Sequence, residues 1–187
     1  MTVRTLCLHG PESTGKTVLA AGLSDRLGGA EVVSEYGREW CEANGTYTSM
    51  ADLVTIATEH ERRIDAAIAR AEARGAPDAD VWVILDTDAV MTAVWADMLH
   101  GGQDPWFADL THTADLYLVP DIDLPWIDDG IRYFGQADIR KRFMDMAIAE
   151  LEKRSLPYAM VRGQGEARLE SALAALRAWM AAGGYAL

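Results

Sequence analysis

Cysteine is nearly absent from this chain. There are two, Cys7 and Cys41, in 187 residues, and neither has metal-ligand spacing. Cys7 falls in an apolar run and reads as packing, and nothing in the sequence supports a reactive role for Cys41. Positive charge is also scarce: 17 Lys and Arg face 29 Asp and Glu, a formal net charge of −12. That balance argues against a nucleic-acid partner, because gripping a phosphate backbone needs a basic face. No apolar run approaches the roughly 20 residues of a membrane span, so no membrane role is expected. Met1 to Arg4 lead straight into the first apolar segment, which leaves no stretch for a signal peptide. A reducing, cytoplasmic setting is the expectation. No internal repeat, low-complexity tract or linker interrupts the chain, and its length suits a single domain over 1–187 with ample material for a core.

What is present is a regular alternation of strand and helix signals. That pattern predicts an α/β fold, a five-stranded parallel sheet with helices on both faces. Strands are expected at about 4–8, 31–34, 81–85, 115–119 and 158–161. Helices are expected at about 16–27, 49–74, 89–99, 137–154 and 166–180. In the long helix, Ser49 is a cap candidate with Asp52 three residues on, and Gly75 and Pro77 supply the stop. Met50, Leu53, Val54, Ala57, His60, Ile64, Ala67, Ile68 and Ala71 follow the spacing of one buried face; His60 on that stripe reads as a core histidine. The Asp-rich, aromatic stretch at about 121–136 reads as a lid.

Between the first strand and the first helix lies Gly10-Pro-Glu-Ser-Thr-Gly-Lys-Thr17. This is G-x-x-x-x-G-K-[ST], the phosphate-binding loop, in the strand–loop–helix context it requires. Gly10 and Gly15 let the backbone wrap, so that N–H groups of Glu12, Ser13 and Thr14 point at phosphate oxygens. The following helix start adds a favourable dipole. Lys16 reaches the β- and γ-phosphates, and Thr17 offers its hydroxyl to Mg²⁺. A nucleoside triphosphate with Mg²⁺ is therefore the expected ligand.

In open α/β sheets, ligands sit beyond the carboxyl ends of the strands. After the second strand come Glu35, Tyr36 and Arg38. Glu35 is the candidate base for an accepting hydroxyl, with a surface ion pair to Arg38 as the plainer alternative. After the third strand come Asp86 and Asp88. Asp86 ends an apolar strand, the place for a Mg²⁺ ligand, or else caps the next helix. Asp88 divides evenly between substrate contact and helix cap. Within the lid, Arg132 is positioned by sequence to close over the triphosphate, and Arg140 to assist. Trp40, Trp95, Trp106 and Trp126 fall near this rim, where aromatic rings suit a flat or cationic aromatic substrate or simply pack; Trp82 and Trp179 read as core.

Taken together, Gly10–Thr17, Glu35-Tyr-Gly-Arg-Glu39, His60 with Arg62, Asp86-Thr-Asp88 and Trp126-Ile-Asp-Asp-Gly-Ile-Arg132 resemble the ribosylnicotinamide kinase domain of the NadR proteins, over most of the chain. The resemblance implies a P-loop nucleoside kinase that uses ATP to phosphorylate the 5′-hydroxyl of nicotinamide riboside for NAD salvage. It implies Lys16, Glu35, Asp86 and Arg132 in catalysis, Gly10 to Thr17 and Arg132 on ATP, and Thr17 and Asp86 on Mg²⁺. Glu35, Tyr36, Arg38, Asp88, Trp95 and Trp126 would face the substrate. NadR proteins can carry adenylyltransferase and helix-turn-helix domains ahead of the kinase. With the phosphate loop starting at Gly10, neither is expected here.

Two other readings stay open. One keeps the chemistry and changes the acceptor to another nucleoside or small metabolite. The other is a nucleotide-binding ATPase or switch acting on protein partners. The sequence has no Asn-Lys-x-Asp motif for guanine, which counts against a GTPase switch.

Overall fold

The computed structural model describes residues 2–74, 80–127 and 134–183. Five strands form one all-parallel sheet: β1 (Val3–Leu8), β2 (Glu31–Val33), β3 (Val81–Asp86), β4 (Leu116–Pro120) and β5 (Tyr158–Val161), in the order β2-β3-β1-β4-β5. Six helices connect and cover them: α1 (Lys16–Arg26), α2 (Tyr36–Asn44), α3 (Met50–Arg74), α4 (Ala89–His100), α5 (Ala137–Lys153) and α6 (Glu166–Ala182). A short 3₁₀ helix, Pro105–Ala108, follows α4. Gly75 and Pro77, the expected stop of the long helix, lie outside the described residues.

The central strands are apolar on both sides because both sides are covered. Leu6, Leu8, Ile84, Leu116 and Leu118 face α1 and α6 through Leu19, Leu23, Leu173 and Leu176. Cys7, Val83, Leu85, Tyr117 and Val119 face α3, α4 and α5 through Ile64, Val90 and Met144. Period-2 alternation along each strand thus separates the two cores. The β1–β3 register pairs Leu8 with Asp86. It sets the end of β3 directly beside the loop that leaves β1.

α3 starts as its sequence predicts. Ser49 Oγ and Asp52 Oδ2 lie 2.6 Å apart, and Asp52 Oδ2 also accepts the Ser49 N–H at 2.8 Å. α2 falls where the sequence pattern predicts no helix. It has no fully buried residue and its N-cap, Glu35, makes no capping side-chain bond. α3 holds it instead: His60 Nε2 accepts the Tyr36 N–H at 3.0 Å, and Arg63 pairs with Glu39 at 2.7 Å.

Asp88 takes the cap role of the two expected for it: it is the buried N-cap of α4, 1% exposed. Its Oδ1 accepts the Met91 N–H at 3.1 Å and its Oδ2 the Tyr117 hydroxyl at 2.6 Å. Both oxygens are committed inward, toward the core between β1 and β4.

Two stability predictions follow from these buried polar groups. Asp88→Ala removes a cap and leaves the Tyr117 hydroxyl unpaired, a cost of about 3 kcal/mol in urea unfolding. For the second, burial pushes both His9 and His60 down from 6.5 to about 4. The folded state then declines a proton that the unfolded state accepts. Their contribution is complete above pH 6.5 and is lost as pH falls toward 4, by up to about 3 kcal/mol each. Urea titrations between pH 7 and 4.5 should show this slope, shallower in His60→Gln.

Candidate active site

The loop from Gly10 to Thr17 is built by backbone conformations that side chains resist. Gly10 has φ +133° and Gly15 φ +78°. A Cβ on Gly15 would also stand 3.2 Å from Leu124 Cδ1, but it is the left-handed backbone that calls for glycine there. Thr14 is fully buried, its hydroxyl donating to the Pro11 carbonyl at 2.9 Å. Lys16 Nζ donates to the Gly10 and Pro11 carbonyls at 3.0 and 2.8 Å, which holds its ammonium across the mouth of the loop.

Two arginines fasten the loop from behind. Arg168, 3% exposed, donates to the Thr14 carbonyl at 2.9 Å and the Gly163 carbonyl at 2.7 Å, and also binds Asp123 and the Asp121 carbonyl. It ties together the phosphate loop and the ends of β4 and β5. Arg140 reaches the Leu124 carbonyl at 3.2 Å and the Ser13 carbonyl at 3.5 Å. Arg168 carries no motif, and the sequence reading passed it over. The signal was an arginine on the apolar stripe Arg168, Ala172, Leu176 of α6, where a buried cation needs partners.

The β1–β3 register brings Thr17 Oγ1 within 2.7 Å of Asp86 Oδ2. Asp86 is buried, and its Oδ1 has no hydrogen-bond partner among the described residues. A hydroxyl and a carboxylate side by side, with one oxygen unsatisfied, fit a hard cation such as Mg²⁺ that takes its other ligands from phosphate and water. Thr87, the next residue, has φ +73°, a strained conformation for a β-branched side chain. That reversal aims Asp86 at the loop and Asp88 into the core.

A cavity of about 210 Å³ opens in front of the loop. Its near end holds Glu12, Lys16, Thr17 and Glu35; Trp95, Leu53 and Ile56 form its walls, and Arg38 also lines it. Glu35 is placed by the N-terminus of α2. Burial pushes its carboxyl above the usual range; the charges of Asp86 and Glu12 add to this, while Lys16 and Arg38 oppose it. Arg38 pairs with Glu42 at 3.2 Å along its own helix. Trp95 is locked edge-on against Phe143 at 4.6 Å and stacked on Phe134 at 5.5 Å.

Not every expected residue faces this space. The Tyr36 ring lies under the Arg63 guanidinium at 4.5 Å and packs onto α3. Trp126 sits 5.8 Å from the Arg140 guanidinium. Neither ring is among the residues lining the cavity. Trp40 and Trp106 also pack, against the α3–α4 cluster. Arg132 lies outside the described residues. Conversely, Cys41, Thr46, Thr48, Met91 and Leu99 line the cavity although no motif pointed to them. His60 is both a buried residue, as expected, and part of the cavity wall.

Among the described residues no helix is long and apolar enough to cross a membrane. The trifunctional NAD biosynthesis/regulator protein NadR of Salmonella typhimurium is 27% identical over 166 residues, 86% of this chain and 38% of that protein. A solved structure of NadR protein in complex with NR matches 95% of this chain and 51% of that one, at 25% identity and a TM-score of 0.72. Another, NadR protein in complex with NAD and AMP-PNP, matches 95% and 49%, at 23% identity and a TM-score of 0.70. The chain thus spans about half or less of these relatives' length. The AAA domain family matches residues 5–168, a span that runs from β1 through the phosphate loop to Arg168. The chain belongs to the AAA domain family.

Proposed function

We propose that this protein is an ATP-dependent kinase that transfers the γ-phosphoryl group to the 5′-hydroxyl of nicotinamide riboside. The observation that carries the reading is one cavity shared by two sets of groups: Lys16 and Thr17 at its phosphate end, and Glu35 beside them with an apolar pocket lined by Trp95, Leu53 and Ile56. The NadR structures with NR and with AMP-PNP, an ATP analogue, support the same ligands here. Glu12 and Glu35, which line the cavity together with Lys16 and Arg38, supply carboxylates for a nucleoside whose ring is cationic.

In this scheme the loop N–H groups and Lys16 hold the β- and γ-phosphates and neutralise charge in transfer. Glu35 orients the 5′-hydroxyl and takes its proton as the new O–P bond forms and the bond to the departing ADP breaks. Its raised pKa makes it a stronger base than an ordinary carboxylate. Thr17 and Asp86 would hold Mg²⁺, which supplies charge neutralisation on the phosphates when bound. Arg168 and Arg140 keep the loop in place.

The test is phosphoryl transfer from ATP with Mg²⁺ across a nucleoside panel. Selective formation of nicotinamide mononucleotide is expected. Transfer to a different acceptor would keep the chemistry and discard the substrate, and hydrolysis without any acceptor would discard the kinase reading. Lys16→Ala should lower turnover about a thousandfold with the fold intact. Glu35→Gln should lower kcat at least a hundredfold with KM little changed. Because Glu35 acts deprotonated, kcat should fall as pH drops through its raised pKa. This acid limb lies above the usual carboxylate range and disappears in Glu35→Gln.

A further inference from the structure

Two carboxylates of this fold stand at the N-caps of helices that follow parallel strands, and they are used differently. Asp88 spends its carboxylate on its own helix, accepting the Met91 N–H of α4. Glu35, the N-cap of α2, makes no side-chain capping bond, and it lines the cavity. A helix start leaves its first N–H groups without partners inside the helix, and a side-chain oxygen of the N-cap residue commonly accepts one of them. At α2 the acceptor comes from another element: His60 Nε2 of α3 takes the Tyr36 N–H at 3.0 Å.

His60 stands where an apolar side chain would carry less penalty. It is 2% exposed, on the helix that also buries Leu53, Ile56, Ala57 and Ile64. With Nε2 accepting, the neutral ring carries its proton on Nδ1. That atom is buried with no hydrogen-bond partner among the described residues, and a buried donor without an acceptor is destabilising. What the imidazole supplies in return is the Nε2 lone pair. Burial holds the ring neutral; Arg63 acts in the same direction, and Glu39 and Glu59 oppose it.

The bond acts on the right peptide unit. The Tyr36 N–H belongs to the unit that contains the Glu35 carbonyl, so fixing its direction fixes ψ of Glu35, which is 101°. The Arg63–Glu39 pair also joins α3 to α2, but its side chains are 25% and 45% exposed, where an ion pair contributes little. We propose that His60 is the positioning residue for Glu35: by accepting the Tyr36 N–H it holds the first turn of α2 and leaves the Glu35 carboxylate to the accepting hydroxyl instead of to its own helix. Without that lone pair, ψ at Glu35 is released and the carboxylate turns back toward the N–H groups of α2. The assignment rests on the kinase reading above, in which Glu35 is the base.

The experiment measures kcat and KM for ATP-dependent phosphorylation of nicotinamide riboside in wild type, His60→Leu, Glu35→Gln and the double variant. His60→Leu removes the lone pair and keeps apolar packing; it should lower kcat about tenfold with the KM for ATP unchanged. In the Glu35→Gln background the same change should cost about twofold or less, because the group it positions is gone. His60→Gln, whose side-chain carbonyl can accept an N–H, should recover most of the loss. His60→Phe, a ring without a lone pair, must repeat the leucine result and stands in for it if His60→Leu does not fold. An equal loss in both backgrounds, or a His60→Gln as impaired as His60→Leu, overturns the assignment while the kinase reading stands. Absence of transfer to nicotinamide riboside by wild type overturns the kinase reading and the assignment with it.

Discussion

Thr17 and Asp86 are 69 residues apart in sequence and 2.7 Å apart in space, and the site is organised around that contact. It exists because β1 and β3 are adjacent in register, Leu8 beside Asp86. A one-residue slip of that pairing would turn Asp86 to the other face of the sheet. The apolar faces of β1 and β3 prevent the slip, since Leu6 and Ile84 serve one core while Cys7 and Leu85 serve the other. Burial on two sides of a sheet therefore sets the geometry of two polar atoms at the carboxyl end of its central strands.

A second layer of order acts on the pieces that the sheet does not fix. α2 is short, carries Gly37 near its start and buries none of its residues fully. Left alone it would not be stable. α3 grips it through His60 and Arg63, and in doing so delivers Glu35 to the cavity. The neutral state of His60 matters to this grip, because Nε2 must offer a lone pair to the Tyr36 N–H.

Sequence periodicity carried most of the fold. The five strands, the long α3 with its Ser49–Asp52 cap, and the phosphate loop were all legible, since each rests on local pattern. α2 was not legible, because its support is tertiary. Asp88 was ambiguous for a related reason: a carboxylate after a strand can turn toward ligand or toward core, and the left-handed Thr87 between the two aspartates decides it. Tyr36 and Trp126 face the substrate by resemblance, and in the structure an arginine stands over each ring, Arg63 over one and Arg140 over the other. Arg168 belongs to no motif, and only burial with crowded hydrogen bonding brings it into view.

Arg168 fastens main-chain oxygens at three of its attachments, those of Thr14, Asp121 and Gly163. A carbonyl is the same group whatever side chain its residue carries. The anchor is therefore indifferent to most substitutions in the loops it joins, provided the backbone path is kept. Sequence can drift widely around such a fastening while the nucleotide cradle retains its shape.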